Sequence, residues 1–287
     1  MSTFQSSLAL MILPPFFLIA GAATADPGRE VVPAYAWWRL GESRRLPDGR
    51  VRRDLELIPP RTGAETETVQ AFLRLAPLTP PGGGKRTAEA AWRRLALSRP
   101  IRGAFPCSIE AGGFFRAEIW AKLETSAGEF WAATAFNLYG QAADPVLEGE
   151  IAGEPEGLPR LSLTSDGEDY WPQTGHNFRL VPEWPEAERP ESVKVLDSEG
   201  QLLTTPVRDS DGGFGYRPPH DSALDRAGDL AWKHIVFLLE RKGVPIGFTL
   251  EVHRSRHGRD NLGAGLAVMS VSLAATAFLF RRRKVRR

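Results

Sequence analysis

Histidines are the residues of this sequence best suited to binding a metal, and all five lie in its second half. Neutral imidazole is a good ligand for nickel, cobalt, zinc and copper. His253 and His257 flank a run with two arginines, which would repel a cation, so a polar interfacial segment is the favoured interpretation there. The remaining three, His176, His220 and His234, form the candidate metal site. This hypothesis rests on composition, and His234 also fits a half-buried strand position.

Other motifs of reactive residues give no catalytic constellation. The sequence contains neither a G-x-S-x-G nucleophile elbow nor an H-E-x-x-H zinc helix. Gly82-Gly83-Gly84-Lys85 lacks the first glycine of a phosphate loop and is followed by Arg86 instead of Ser or Thr. We therefore expect no enzymatic activity and assign no catalytic or cofactor-binding residue.

An alternating run, Asp209-Ser210-Asp211-Gly212, resembles the start of a calcium loop. The twelfth position of such a loop should be a glutamate, and here it is His220. A turn closed by hydrogen bonds to an aspartate side chain is therefore the favoured interpretation.

Tryptophans offer a second kind of binding surface, because an indole ring buries a large area on one face. A carbohydrate or protein partner could bind such a surface, whereas tryptophans of β-sandwiches usually lie in the core. The candidates for either role are Trp37, Trp38, Trp131, Trp171 and Trp184.

The two ends of the chain predict export and a single membrane anchor. An apolar run from Leu8 to Ala22 precedes Ala23-Thr24-Ala25, so residues 1–25 are predicted to be a signal peptide. Residues 262–280 carry no charge and are long enough to span a bilayer as a helix. Residues 281–287 contain six cations, which predicts a cytoplasmic tail and the bulk of the chain in the periplasm.

Charge and cysteine content describe the predicted exported part, residues 26–261. It contains 30 basic and 35 acidic residues, a formal charge of −5, which does not favour nucleic-acid binding. Cys107 is the only cysteine, so no intramolecular disulfide can form.

Hydrophobic periodicity predicts a mainly β fold. Residues 115–123 alternate apolar and polar side chains, and a turn at 126–129 separates them from a second run at 130–139, which predicts a hairpin. A second hairpin is predicted from 232–239 and 246–252, and further strands are predicted at 51–57, 69–75, 178–181, 193–197 and 201–207. Residues 87–97 contain good helix formers and predict a short helix.

A stretch rich in Pro, Gly and Glu at 142–159 predicts a boundary between two β-sandwich-like domains. The first domain would comprise residues 26–150 and has no predicted role. The second would comprise residues 151–257 and precede the transmembrane helix.

The stretch VKVLDSEGQLLTTPVRDSDGGFGYRPPHD, residues 193–221, resembles bacterial periplasmic immunoglobulin-like modules. With the preceding YWPQTG and the single C-terminal span, residues 160–287 resemble periplasmic accessory proteins associated with nickel or cobalt uptake. The resemblance implies an immunoglobulin-like domain and a tethered protein that presents a ligand such as nickel or cobalt to an inner-membrane transporter. The alternative is a structural or adhesion-type protein-interaction module without a metal role.

Overall fold

The computed structural model describes residues 32–78, 91–141, 150–165, 177–218 and 234–252. The predicted signal peptide, transmembrane helix and basic tail lie outside these residues. Among the described residues, no helix is long and apolar enough to cross a membrane.

The described chain is mainly β, with one short 3₁₀ helix at Glu186–Glu188. Its strands, in chain order, are β1 (Trp37–Arg45), β2 (Val51–Ile58), β3 (Thr66–Pro77), β4 (Trp92–Leu95), β5 (Phe105–Ala111), β6 (Phe114–Thr125), β7 (Gly128–Tyr139), β8 (Ile151–Ala152), β9 (Leu161–Ser165), β10 (Phe178–Pro182), β11 (Lys194–Asp197), β12 (Leu202–Thr204), β13 (Phe214–Tyr216), β14 (His234–Arg241) and β15 (Val244–Glu251).

Three sheets contain these strands. The largest has nine strands in the order β12-β11-β14-β15-β7-β6-β3-β4-β8. Two three-stranded sheets have the orders β1-β2-β5 and β13-β10-β9. The nine-stranded sheet is antiparallel except where β15 pairs in parallel with β7.

Alternating side chains of the nine-stranded sheet contribute to two different cores. On β6, Ile119 and Ala121 belong to a core shared with β1, β2 and β5. Trp120, between them in sequence, belongs to a second core shared with β9, β10 and β13. Since successive residues of a strand point to opposite faces, each small sheet covers one face of the large sheet.

The predicted boundary at 142–159 separates strands that share a sheet. Core residues on the β1-β2-β5 side all precede this boundary. The second core combines residues from both sides, including Trp120 and Trp131 before the boundary and Phe237 after it. The division into domains 26–150 and 151–257 stays a prediction, and the pairing of β7 with β15 links strands from the two segments.

Most strands lie where periodicity predicts them, including the hairpins β6–β7 and β14–β15. The helix predicted at 87–97 is wrong for its described part, because Trp92–Leu95 is strand β4. This segment pairs with Ala71–Arg74 of β3, and Trp92 is buried in the second core. Sheet pairing and burial of the indole outweigh the weak helix propensity of a short segment.

Candidate functional site

A buried ion pair connects the β1-β2-β5 sheet to the end of the nine-stranded sheet's strand β15. Arg53 of β2 donates a hydrogen bond to Glu251, and their side chains are only 5% and 4% exposed. The Arg53 guanidinium lies 4.7 Å from the ring centroid of Phe136. Its Nε has no hydrogen-bond partner among the described residues. The two charges are therefore buried together beside an aromatic ring, where losing the opposite charge is costly.

Polar contacts beside this ion pair join β1 to the same sheet. The Trp38 amide donates to Thr249 Oγ1 over 3.0 Å, and the Trp38 indole donates to the Ala132 carbonyl over 3.2 Å. His234 is the antiparallel partner of Glu251 and lies beside Leu40 of β1. We call Trp38, Leu40, Arg53, His234, Thr249 and Glu251 the inter-sheet cluster.

Of the three histidines in the predicted metal site, only His234 is among the described residues. It is buried, and its Nε2 lies 3.0 Å from the Leu40 amide nitrogen and 3.1 Å from the Leu40 carbonyl oxygen. Its ring centroid is 6.0 Å from that of Trp37. The described residues contain no group of three or more His, Cys, Asp or Glu side chains arranged to hold a metal. A site of His176, His220 and His234 stays a prediction, since His176 and His220 lie outside them.

The run beginning at Asp209 forms the turn favoured by the sequence. Asp209 Oδ1 accepts the amides of Asp211 over 3.0 Å and of Gly213 over 2.8 Å. Arg179 donates two hydrogen bonds to the same carboxylate, over 2.7 and 2.8 Å. The arginine and the two amides hold the pKa of Asp209 well below its usual range. This carboxylate is thus committed to structural contacts.

Four of the five candidate tryptophans are core residues. Trp37, Trp38, Trp131 and Trp184 are each at most 5% exposed. They do not form the aromatic surface considered from the sequence, and Trp171 lies outside the described residues. Cys107 is likewise buried, and burial raises the pKa of its thiol to about 12.

A cleft of about 530 Å³ opens between β5 and the β3–β4 pair. Its volume falls in the range of about 300–1,000 Å³ that is usual for ligand clefts. Val69, Leu95, Leu97 and Ile109 supply large apolar side chains to its lining. We call it the edge cleft, because β5 is an edge strand of its sheet.

Charged residues also line the edge cleft. Glu110 is paired with Arg50 over 2.9 Å. The Arg94 amide donates to the Glu150 carbonyl over 2.9 Å, which places these two residues side by side. Neither the Arg94 nor the Glu150 side chain forms an ion pair with any described residue, and both residues are exposed.

No protein-family model matches this chain, and no curated protein matches it significantly. The site must therefore be interpreted from its own chemistry.

The two features differ in what they can do. The inter-sheet cluster is buried and internally bonded, so it fixes strands. The edge cleft combines an apolar lining, a strand edge and two charges without an ion pair to any described residue, so it is the candidate for ligand binding. Sequence reasoning missed both. The sequence offers one indication of the inter-sheet cluster. Arg53 is a charged residue at an inward position of the alternating strand Val51–Ile58.

Proposed function

We propose that this chain is a non-enzymatic accessory protein, exported to the periplasm and tethered to the inner membrane by residues 262–280. In this role it presents a bound ligand or partner to an inner-membrane transporter. The observation that best supports the proposal is the position of β15, the last described strand, inside the nine-stranded sheet between β14 and β7. Only residues 253–261 separate Val252 from the predicted span.

The inter-sheet cluster suits such a tether. β15 is paired on one side with β14 and on the other with β7. Its last residue, Glu251, is bonded to Arg53 of the covering sheet. A membrane helix connected to the end of β15 would therefore be linked to both the nine-stranded sheet and the sheet that contains Arg53. Tethering would raise the effective concentration of a binding surface near its membrane partner without adding any contact.

Membrane topology is the first test, using full-length protein with an epitope tag after Arg287. Protease added to spheroplasts should digest the β region and leave the tag protected until the membrane is permeabilised. A periplasmic protein that binds the same membranes is the control for spheroplast integrity. Digestion of the tag in intact spheroplasts would reverse the proposed orientation, and recovery of the full-length chain in the soluble fraction would contradict the tether.

The metal version of this proposal follows the resemblance of residues 160–287 to immunoglobulin-like accessory proteins of nickel or cobalt uptake. It assigns metal binding to His176, His220 and His234 as a joint site. Calorimetric titration of the full chain with nickel and cobalt salts tests it. Micromolar or tighter binding should be lost in a triple variant carrying His176→Ala, His220→Ala and His234→Gln, and retained in His253→Ala/His257→Ala. Binding that survives the triple variant would remove these residues from the site.

The second candidate function, a protein-interaction module without a metal role, is favoured by the edge cleft. Its apolar lining next to an edge strand is a common arrangement for binding an extended chain. In this version, the transporter or another inner-membrane protein is recognised directly by the β structure. The nickel and cobalt titrations would then show no binding, while the membrane topology would be unchanged.

A further inference from the structure

We propose that the edge cleft binds an extended peptide segment of a partner protein, which adds a strand to the free edge of β5. The inference rests on the protein-interaction candidate above and does not depend on the membrane anchor. β5 pairs with β2 along Phe105–Ala111, and no described strand pairs with its other edge.

One hydrogen bond shows which backbone groups face this free edge. The Ser98 amide donates to the Pro106 carbonyl over 2.8 Å, from the side opposite β2. Backbone groups of alternate residues point to the same edge of a strand. Ser108 and Glu110 therefore direct their amides and carbonyls outward, while Cys107 and Ile109 bond to β2. Unlike the Pro106 carbonyl, the outward groups of Ser108 and Glu110 have no backbone hydrogen-bond partner among the described residues, and an added strand would supply one.

The cleft also determines the side-chain pattern that the peptide should carry. The Ser108 and Glu110 side chains lie on the outer face of the sheet, and Ile109 lies on the inner face. A peptide residue beside Ile109 would therefore point into the cleft, against Val69 and Leu97. An aliphatic side chain fits this position. Its two neighbours would point outward to solvent and should be polar.

Unpaired charges favour a peptide with charged residues next to the aliphatic one. Arg94 and Glu150 lie opposite each other beside the cleft, without an ion pair to any described residue. A segment carrying an acidic and a basic residue would complement both charges. Charge complementarity of this kind determines orientation and specificity more than affinity.

A peptide is favoured over a second copy of this chain as the occupant. Self-pairing of β5 would place two Pro106 residues in one pair of strands, neither with an amide to donate, whereas a peptide meets only one. Glu110 is the only charged residue of β5, so a second copy would bring an acidic group and no basic one, whereas a partner segment can carry both.

Ser108 offers a matched pair of variants to test the edge. Ser108→Pro removes the outward amide and places a ring where the added strand would lie, while the bonds of β5 to β2 are kept. Ser108→Ala keeps the amide and removes only the hydroxyl group. Val69→Lys places a charge in the cleft wall and tests the same proposal without changing β5. Leu202→Lys, on the distant edge strand β12, is its control.

The probe is a phage-displayed library of random seven-residue peptides, selected against the purified full chain in detergent. Enriched peptides, made synthetically, should contain an aliphatic residue between polar or charged residues. They should bind Ser108→Ala and Leu202→Lys like the unaltered protein. Their binding should be at least ten-fold weaker to Ser108→Pro and to Val69→Lys, with folding of each variant checked by circular dichroism.

Three results would overturn the proposal. These are the absence of enriched peptides, peptide binding that is unchanged in both Val69→Lys and a folded Ser108→Pro, and concentration-dependent dimers of the full chain that Ser108→Pro abolishes. The last result would assign the edge to a second copy. If Ser108→Pro does not fold, Val69→Lys decides the outcome. Because the topology assay uses neither these peptides nor these variants, failure of the tether and failure of the cleft are distinguishable.

Discussion

At the scale of single residues, the buried Arg53–Glu251 pair should be the most sensitive polar contact of the described structure. Removing one partner takes from the other buried charge the counter-charge that lies against it, at a cost of about 3–5 kcal/mol. We expect Arg53→Met to lower the free energy of unfolding by this amount. Urea unfolding of the purified full chain in detergent, followed by tryptophan fluorescence, measures the loss.

Two controls separate the ion pair from a general effect of mutation. The double variant Arg53→Met/Glu251→Leu should lose less stability than the sum of its single variants, because neither charge remains buried. Glu56→Gln removes an exposed ion pair with Arg39. The side chains of Arg39 and Glu56 are 54% and 42% exposed, respectively. Such a pair contributes about 1 kcal/mol or less. Equal losses in Arg53→Met and Glu56→Gln would contradict the assignment of a buried pair.

Asp209, which lies at the surface, should make a pH-dependent contribution to the free energy of unfolding. Arg179 holds the pKa of Asp209 below its value in the unfolded chain, which is about 3.9. Its contribution is therefore present above about pH 4 and is lost as pH falls toward the lower folded value. Asp209→Asn keeps an acceptor for the turn amides and removes the charge. It should be less stable than the unaltered protein by about 1 kcal/mol at pH 7, and in urea titrations this difference should begin to narrow below about pH 4 and continue to narrow as pH falls toward the folded pKa. A difference that stays constant from pH 7 to pH 3 would refute the charge contribution.

At the scale of elements, the position of β1 depends on a glycine of β15. A Cβ atom on Gly247 would overlap the carbonyl oxygen of Ala36, which directly precedes β1. Because the obstacle is backbone, β1 must move away, and Gly247→Ala should cost about 1–3 kcal/mol in unfolding free energy. Gly215→Ala in β13 is the matched control, since nothing lies within 4 Å of its added carbon. Similar urea midpoints for the two variants would show that β1 does not approach β15 this closely.

The elements that could be predicted are those whose sequence pattern matches their environment. β6 alternates cleanly, because one face enters a core and much of the other carries polar groups such as Arg116 and Glu118. β4 could not be predicted, because its conformation comes from pairing with β3, and its own four residues do not reveal that partner. A four-residue strand carries too little periodicity to outweigh the helix-forming residues before it.

At the scale of the molecule, the candidate site was not predictable from one sequence. Glu251 and Arg53 are separated by most of the chain, and nothing local indicates that they meet. The edge cleft exists because the chain leaves β4 and reaches Ser98, which bonds to β5 in another sheet. This passage of the chain from one sheet to another depends on the topology of the whole fold, which local sequence patterns do not indicate. The turn closed by the Asp209 carboxylate, by contrast, joins residues that are close in sequence. The sequence favours this turn over a calcium loop.

Sheet continuity leads to a prediction for the whole β structure. Trp131 of β7 pairs with Ile246 of β15, and Trp120 packs in a core that also contains Phe237. A chain ending near residue 150 would expose these indoles, so the segments on either side of 142–159 should depend on each other. We expect urea unfolding of the full chain to give one transition, with coincident curves from tryptophan fluorescence and far-ultraviolet circular dichroism. A fragment of residues 26–150 should fail to give a cooperative transition. Two separated transitions, with a folded fragment, would instead support two independent domains at the predicted boundary.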